Sequence, residues 1–351
     1  MKHLRKQIDA SKIPKGRFCY KPIKQLTHSK IELHLHLDGA VRVSTIWEMA
    51  KRKGISIGNT TSYEEIEEII RVKRQASLTH FLDSFALFTP TIAGDADAIE
   101  RCAYELCEDQ ARQGCSYFET RYSPQLWTSS GAASHGLTPD KVVEAVNSGL
   151  RRGEKDFGVK ARSILCCILH RPEWSDDVLR LCKKYANDGV VAIDCAAGEP
   201  ENNNIFDKRI VNAFTTAKEL GIHRTCHAGE IDNSSKNVAF AVNEMFAERI
   251  GHGYHILDDP EIYAKYKHKV HFEVCPYSSF FTGAVTSSAN NGKHAIIQFA
   301  EDNVSFSINK DDPTIIQTTL DDEYRYLTEL GLTEVHFIRS FHITITTIIE
   351  K

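Results

Sequence analysis

The stretch IELHLHLDGA, residues 31–40, alternates apolar residues with histidine and ends in an acid followed by glycine. Such alternation is typical of a β-strand, because successive side chains of a strand point to opposite faces. The leucines would lie on one face, with His34, His36 and Asp38 on the other. Two imidazoles two residues apart are about 7 Å apart along a strand, close enough to bind one metal ion. An HxH pair alone remains weak evidence for a metal site.

Short runs of β-branched and apolar residues recur downstream, separated by segments of helical periodicity such as 139–153, 174–188 and 210–221. Strands that alternate with helices in this way predict a parallel sheet. At 351 residues, a closed (β/α)₈ barrel of the TIM type is favoured over an open, doubly wound sheet. The predicted strands are 31–37, 116–122, 162–169, 190–196, 223–228, 248–253, 270–275 and 304–309.

The connection between the first two predicted strands, residues 38–115, is unusually long. Active sites of such barrels lie at the carboxyl ends of the strands, where this segment begins. We therefore expect this long helical insertion after the first strand to form part of the active-site mouth. Its predicted helices lie near 42–54, 63–74, 79–88 and 96–113.

Composition excludes several classes of protein. The net charge is −4, the pI is about 6.5 and both signs are interspersed, so neither nucleic acid nor an anionic membrane is an expected partner. No apolar run approaches the roughly 20 residues that span a bilayer, and the first residues lack the apolar centre of a secretory signal. The ten cysteines include no CxxC pair, which favours reduced, buried thiols and a cytoplasmic location.

Domain organisation is equally simple in the sequence. No repeat, low-complexity tract or linker interrupts the chain, so residues 1–351 are predicted to form one domain. Residues 1–29 are basic and weakly periodic, and we expect them to form a peripheral segment on the outside of the barrel.

Polar residues recur at the ends of the later predicted strands. The fifth strand ends in His227 and is followed by Glu230, the sixth ends at His252, and the eighth leads into Asp311 and Asp312. Carboxyl ends of barrel strands share one rim, so these side chains are expected to lie together. Each of these residues could instead have a structural role, as a histidine of the core or as an aspartate that caps the next helix. Imidazole nitrogen and carboxylate oxygen are common ligands of catalytic zinc.

Longer blocks carry a more specific signal. The segments IELHLHLDGA, LFTPTIAG, YFETRYSP, CHAGE, ERIGHGYH, FEVCPYSSFFTGA and SINKDDP resemble the signature blocks of the adenosine deaminase family, in that family's order, over roughly residues 28–335. The resemblance implies a barrel of the metal-dependent hydrolase type with one zinc ion per chain. It also implies hydrolytic deamination of adenosine and 2′-deoxyadenosine to inosine and deoxyinosine in purine salvage. The expected partner is this small purine nucleoside, bound by a monomer or weak oligomer.

The resemblance also implies roles at the metal. Glu230 would protonate the purine ring at N1, and His252 would orient or deprotonate the zinc-bound water. Asp311 would be both a ligand and part of the catalytic machinery. The implied zinc ligands are His34, His36, His227 and Asp311.

Substrate contacts follow from the same resemblance. Asp312 would hydrogen-bond N7 of the purine, and Asp38 would contact the ribose 5′-hydroxyl beside His36. In DCAAGEP, residues 194–200, a gapless match places Ala197 where the family has a glycine whose amide meets the purine, and the amide of Gly198 is an alternative donor. Four apolar residues with helical spacing would flank the substrate entrance, although core packing explains them equally well. They are Leu78, Phe81, Leu82 and Phe85.

Besides Ala197, two features depart from the family pattern. Lys310 replaces a small hydroxyl residue; in a strand it should point away from the metal, where it needs room or a carboxylate partner. The atypical tail 337–351, FIRSFHITITTIIEK, alternates threonine with isoleucine like a strand and no longer resembles the family.

Other functions remain open. An amidohydrolase of a non-purine ring, or a deaminase of AMP type, would share the metal residues. Asp38 favours a nucleoside, because an acid near the 5′ position repels a phosphate, and related deaminases of modified AMP tend to carry asparagine there. A cytidine-deaminase site would need HxE with PCxxC, and neither is present in that arrangement. A non-catalytic binding protein would be expected to lack a ligand or the acid, yet every one is present.

Overall fold

The eight barrel strands form at the eight predicted runs, each within two residues of its predicted bounds. The computed structural model describes residues 29–75, 77–128, 136–201, 205–285 and 294–349. Eight parallel strands hydrogen-bond in chain order, from β1 to β8, with helices between them. The predicted (β/α)₈ barrel is therefore confirmed. The strands are β1 Lys30–His36, β2 Cys115–Tyr122, β3 Lys160–Ile168, β4 Val190–Ala196, β5 His223–Ala228, β6 Arg249–His252, β7 His271–Val274 and β8 Phe306–Ile308.

Helices cover the outside of the barrel and the connection after β1. Within the described part of the chain, none is long and apolar enough to cross a membrane. Apart from Ser29, the segment predicted to be peripheral (1–29) lies outside the described residues. The α-helices are α1 Val43–Lys53, α2 Tyr63–Ile70, α3 Leu78–Ile92, α4 Ala96–Arg112, α5 Pro139–Phe157, α6 Ser175–Lys184, α7 Lys208–Glu219, α8 Ser235–Asn243, α9 Pro260–Tyr266, α10 Pro276–Phe281, α11 Ala295–Glu301, α12 Pro313–Ile316, α13 Leu320–Glu329 and α14 Glu334–Ile349.

The barrel closes between its first and last strands just beyond β8. Leu35 pairs with Asp311 in a parallel bridge. The amide of His36 donates to the Asp311 carbonyl at 2.9 Å, and the Asp311 amide donates to the His34 carbonyl at 3.2 Å. The side chain of Asn309 adds a contact, accepting from the His34 amide at 3.1 Å. Closure therefore depends on the backbone next to the predicted metal ligands.

The insertion after β1 contributes four helices, as the sequence predicts. Helix α3 is preceded by the N-cap residue Ser77, whose hydroxyl accepts from the His80 amide, and its apolar face buries Phe81 and Phe88. Side chains of α3 and residues of β1 line one cavity, so this helix covers part of the barrel mouth.

The C-terminal segment differs from its sequence pattern. The alternation of threonine and isoleucine suggests a strand, and this prediction is wrong, because the segment forms α14. The hydroxyl groups of Thr344 and Thr347 donate to carbonyls four residues earlier, at 2.8 and 2.9 Å, which satisfies them inside a helix. Ser340 donates to the Phe306 carbonyl of β8 at 2.8 Å, and Phe337 packs edge-on against Tyr324. Packing on the barrel thus overrides the local preference for a strand.

Candidate metal centre and active site

Three histidines and an aspartate meet at the carboxyl rim of the barrel. His34 and His36 come from β1, His227 from β5, and Asp311 follows β8; one ligand atom from each lies within 4.8 Å of all the others. The Nε2 atoms of His36 and His227 are 3.2 Å apart. Oδ1 of Asp311 lies 3.2 Å from Nε2 of His34 and 3.4 Å from Nε2 of His36. The four predicted ligands therefore converge on one point.

The donor set fits a divalent cation. His34 Nε2 and Asp311 Oδ1 are buried without a hydrogen-bond partner among the described residues, as expected of atoms that ligate a metal. Burial lowers the pKa of His36, but the carboxylates of Asp312, Asp38 and Asp311 raise it to about 10. The negative charge at this rim thus favours a cation, and three imidazoles with one carboxylate suit zinc.

Carboxylates behind the ligands fix the orientation of the imidazole rings. Nδ1 of His34 lies 2.8 Å from Oε2 of Glu273. Nδ1 of His227 lies 3.3 Å from Oδ1 of Asp194 and 3.1 Å from the carbonyl of Cys195. Hydrogen on each Nδ1 leaves Nε2 free to bind metal. Sequence reasoning missed Glu273 and Asp194. The available signal was an acid in the middle of an otherwise apolar strand, in HFEV and AIDCA.

The predicted acid and base lie beside the ligands. Nε2 of His252 is 3.5 Å from Oε1 of Glu230 and 3.7 Å from Oδ2 of Asp311. Burial raises the pKa of Glu230 well above its usual range, and Asp311 and Glu199 add to the rise. Burial lowers the pKa of His252 well below its usual range. A protonated carboxyl and a neutral imidazole are therefore adjacent, the arrangement required of an acid and a base.

Glu199 holds the loop that carries Glu230. Its carboxylate accepts hydrogen bonds from the amides of Gly229, Glu230 and Ile231 at 3.0, 2.6 and 2.8 Å, and from Nδ2 of Asn237 at 2.8 Å. Sequence reasoning missed this residue, which lies in the segment DCAAGEP, residues 194–200. A buried acid with four donors fixes the backbone on which the candidate proton donor is mounted.

Asp312 occupies the N-cap position of α12, but its side chain makes no capping hydrogen bond. The capping alternative is therefore wrong. Its side chain instead lies against Gly39, where an added Cβ would come within 1.8 Å of Oδ1 of Asp312. Burial, together with the charge of Asp311, raises the pKa of Asp312 well above its usual range.

A cavity of about 370 Å³ opens onto this cluster. Its volume is in the range of small-molecule sites. His34 lies beneath the lining, and the other predicted site residues all line the cavity. Phe81 is both a core residue and part of the wall, since it is 1% exposed. The predicted residues in the lining are His36, Asp38, Leu78, Phe81, Leu82, Phe85, Ala197, Gly198, His227, Glu230, His252, Asp311 and Asp312.

The structure adds wall residues that sequence reasoning did not select, among them Trp127, Cys166 and His170. Ala197 has a φ of +67°, a left-handed conformation that favours glycine. Lys310 turns away from the metal ligands, as predicted, and its carboxylate partner is Glu32, whose Oε2 lies 3.3 Å from its ammonium nitrogen.

A closed parallel barrel with these side chains at its carboxyl rim defines the class of metal-dependent hydrolases. The sequence narrows this class, because the family model for adenosine deaminase matches residues 29–343 and so extends into the tail predicted to depart from the family. The adenosine deaminase of Xenopus tropicalis is 46% identical over 325 residues, which cover 90% of this chain and 89% of the relative. The chain belongs to the adenosine deaminase family.

Solved structures agree with this assignment. The N6-mAMP deaminase of Arabidopsis is 26% identical with a TM-score of 0.76, and the match covers 91% of this chain and 92% of that protein. An amidohydrolase of Burkholderia ambifaria with bound Zn is 24% identical with a TM-score of 0.78, covering 91% and 85% of the two chains, which shows the shared fold.

Proposed function

We propose that this chain catalyses the hydrolytic deamination of adenosine and 2′-deoxyadenosine to inosine and deoxyinosine, with one zinc ion per chain. The observation that carries the proposal is that one cavity, in a member of the adenosine deaminase family, joins a four-residue ligand set to a buried acid and a buried base. The ligand residues are His34, His36, His227 and Asp311.

Zinc suits these ligands because it binds imidazole and carboxylate and keeps one position open in catalytic sites. When bound, it would supply hydroxide at neutral pH by lowering the pKa of a bound water. Hydrogen-bond acceptors on Nδ1 present the Nε2 atoms as ligands: Glu273 for His34, and Asp194 with the Cys195 carbonyl for His227. The charge on the zinc would in turn balance the carboxylates that otherwise raise the pKa of His36.

Glu230 and His252 would handle the protons. The raised pKa of Glu230 lets its carboxyl donate to N1 of the purine, which makes C6 electrophilic. His252, whose pKa is lowered by burial, accepts a proton from the attacking water or orients it. Addition of water at C6 and loss of ammonia then give the inosine product.

Asp312 would recognise the purine at N7. A purine N7 is a hydrogen-bond acceptor, so the partner must donate. The raised pKa of Asp312 allows its carboxyl to carry that hydrogen, and Oδ1 has no hydrogen-bond partner among the described residues. The backbone amides of Ala197 and Gly198, at the wall of the cavity, are donors for another purine atom.

Asp38 is the feature that favours a nucleoside over a nucleotide. Its Oδ1 is buried 3.5 Å from Nδ1 of His36 and has no hydrogen-bond partner in the described part of the chain. The side chain borders the cavity, so it can accept from a ribose 5′-hydroxyl. A 5′-phosphate would place like charge beside it at a cost of several kcal/mol. Deamination of a nucleotide is the second candidate, because the Arabidopsis structure is of an N6-mAMP deaminase.

The test is an absorbance assay on zinc-analysed protein with adenosine, 2′-deoxyadenosine, AMP, N6-methyl-AMP and adenine. Conversion of the two nucleosides alone, with about one zinc per chain, supports the proposal. Conversion of a nucleotide or of adenine instead would contradict the substrate assignment. Turnover that survives complete zinc removal would contradict the metal assignment.

The proposed location is the cytoplasm. Nine cysteines of the described chain are free and buried, as is typical of a reducing compartment. The proposed state is a monomer or weak oligomer, which sedimentation would check.

A further inference from the structure

One guanidinium connects the residues behind two of the metal ligands. Arg121 of β2 is fully buried in the centre of the barrel. Its Nη2 donates to Oε2 of Glu273 at 2.6 Å, and its Nη1 donates to Oδ2 of Asp194 at 3.0 Å. Nη2 also donates to the carbonyl of Leu33 at 2.7 Å, directly before a ligand histidine. Arg121 thus bridges β7, β4 and β1.

The two carboxylates that Arg121 contacts are the ones that face the histidines. Oε2 of Glu273 is 2.8 Å from Nδ1 of His34, so Arg121 and His34 share this oxygen. Nδ1 of His227 lies 3.3 Å from Oδ1 of Asp194 and 3.1 Å from the Cys195 carbonyl, so Arg121 and His227 bind different oxygens of the same carboxylate. The two histidines belong to β1 and β5, strands that do not pair with each other. Arg121 is the side chain that fixes the positions of both carboxylates at once.

We propose that Arg121 is a positioning residue that orients both His34 and His227 for the metal, through Glu273 and Asp194. The inference rests on the metal-binding part of the proposed function. A guanidinium is a rigid planar fork with donors in fixed directions, so it can set the relative position of two carboxylates. A lysine would supply the same charge at one point only. The geometry of the fork, more than its charge, is what the proposal requires.

A general stabilising role is the competing explanation, and it fits the geometry less well. Nε of Arg121 is buried without a hydrogen-bond partner among the described residues, which costs free energy. A residue kept for packing alone gains nothing from that arrangement. The pairing of two histidine-bound carboxylates with one guanidinium is explained by orientation of the ligands.

Arg249 of β6 is a matched control in the same barrel interior. Its Nε contacts Oε1 of Glu273 at 2.7 Å, and its Nη2 contacts Glu119. It therefore reaches the oxygen of Glu273 that does not face His34. Replacing the Arg249 guanidinium should disturb the barrel interior about as much as replacing that of Arg121. It should not release both Glu273 and Asp194.

The experiment compares Arg121→Lys with Arg249→Lys by chelator competition for zinc and by visible spectra of the cobalt-substituted proteins. Arg121→Lys should weaken zinc binding about 10- to 100-fold, the usual effect of losing an outer-shell partner, and should change the cobalt spectrum. Arg249→Lys should leave zinc affinity within about threefold at a similar loss of Tm. Equal zinc affinities in the two variants would overturn the proposal. A wild-type chain that binds no zinc would instead refute the proposed function.

Circular dichroism checks that Arg121→Lys folds. A second measurement tests the proposal on the wild-type protein, without any variant at Arg121. Long-range ¹H–¹⁵N spectra of the metal-free wild-type protein report which ring nitrogen of each histidine carries hydrogen. The signals of His34 and His227 are assigned by their loss in His→Gln variants. Hydrogen on Nδ1 of both rings before metal is added is the expected result. Hydrogen on Nε2, or a mixture, would show that the rings are not preset and would overturn the proposal.

Discussion

Lys310 and Asp311 are neighbours in the chain with opposite surroundings. The ammonium of Lys310 donates to Oε1 of Gln110 at 2.7 Å and of Gln113 at 3.1 Å, beside Glu32. Asp311, on the other side of the same backbone, has a buried Oδ1 without a hydrogen-bond partner among the described residues. Both side chains are almost fully buried.

The comparison distinguishes a buried charge that stabilises the fold from one that is available to bind a ligand. A buried charge surrounded by partners is neutralised and stabilises the fold only through them. A buried charge that lacks partners is destabilising until a ligand supplies one. The cluster behind β8 (Lys310, Glu32, Gln110 and Gln113) is of the first kind. The rim cluster of metal ligands with Glu230, His252 and Asp312 is closer to the second kind. Nε2 of His34 and the Oδ1 atoms of Asp311 and Asp312 are buried there without a hydrogen-bond partner among the described residues.

The largest expected effect is on turnover. Glu230→Gln removes the proposed proton donor while keeping the shape of the side chain, and should lower kcat about 10³-fold with zinc content and fold intact. Glu323→Gln is the control, since Glu323 is also buried with a pKa raised by burial but does not line the cavity. Steady-state kinetics that show near-normal kcat for Glu230→Gln would remove it from the acid role.

The second-largest expected effect is on the free energy of unfolding, without a matching effect on turnover. Lys310→Met leaves Glu32 buried without its ammonium partner and should lower the free energy of unfolding by about 3–5 kcal/mol, measured with urea. The double change Lys310→Met with Glu32→Gln should recover much of that loss. Turnover per folded molecule should stay within a few-fold of wild type. A large loss of kcat at unchanged stability would place Lys310 with the rim cluster.

A smaller change is expected at the purine contact. Gly39→Ala puts a Cβ against Asp312 and should displace its carboxyl, lowering kcat/KM for adenosine about 10- to 100-fold. Zinc content should be unaffected, because Asp312 is outside the ligand set. Unaltered kcat/KM would mean that Asp312 does not contact the substrate.

The smallest effect concerns the strained backbone of the cavity wall. Ala197→Gly should raise the free energy of unfolding by about 0.5 kcal/mol, because glycine adopts the observed φ of +67° without steric cost. Ala196→Gly, one residue earlier in extended β4, should lower it by about 0.5–1 kcal/mol. Urea unfolding of both variants gives the comparison, and a shift of the same sign in both would contradict it.

The barrel and most of the rim cluster were predictable from the sequence. Strand periodicity and the placement of histidines and acids at strand ends are local signals, and the family blocks added roles to them. The orienting carboxylates were not predictable. Their roles depend on the closed barrel, which brings Glu273 of β7 across to His34 of β1 and Asp194 of β4 next to His227 of β5. Spacing along the chain does not contain this three-dimensional relation.

Two local sequence patterns gave wrong predictions, one for the secondary structure of the tail and one for the role of Asp312. The tail reads as a strand, but its threonine hydroxyls are satisfied within α14 and its apolar side chains pack on the barrel. Asp312 precedes a helix and a proline, as a capping residue would, yet its side chain is directed toward Gly39. In both cases tertiary contacts, which the sequence pattern does not record, decide the outcome.

Because of the junction between β1 and β8, a bound metal ion would also affect the stability of the barrel. The pairing of Leu35 with Asp311 joins the two ends of the sheet, and ligand residues flank it on both strands. An ion held by His34, His36 and Asp311 would therefore be a cross-link that encloses nearly the whole barrel in one loop. Opening this seam and releasing the ion would be a single event, so the lifetime of the folded barrel would be set by how slowly the metal departs.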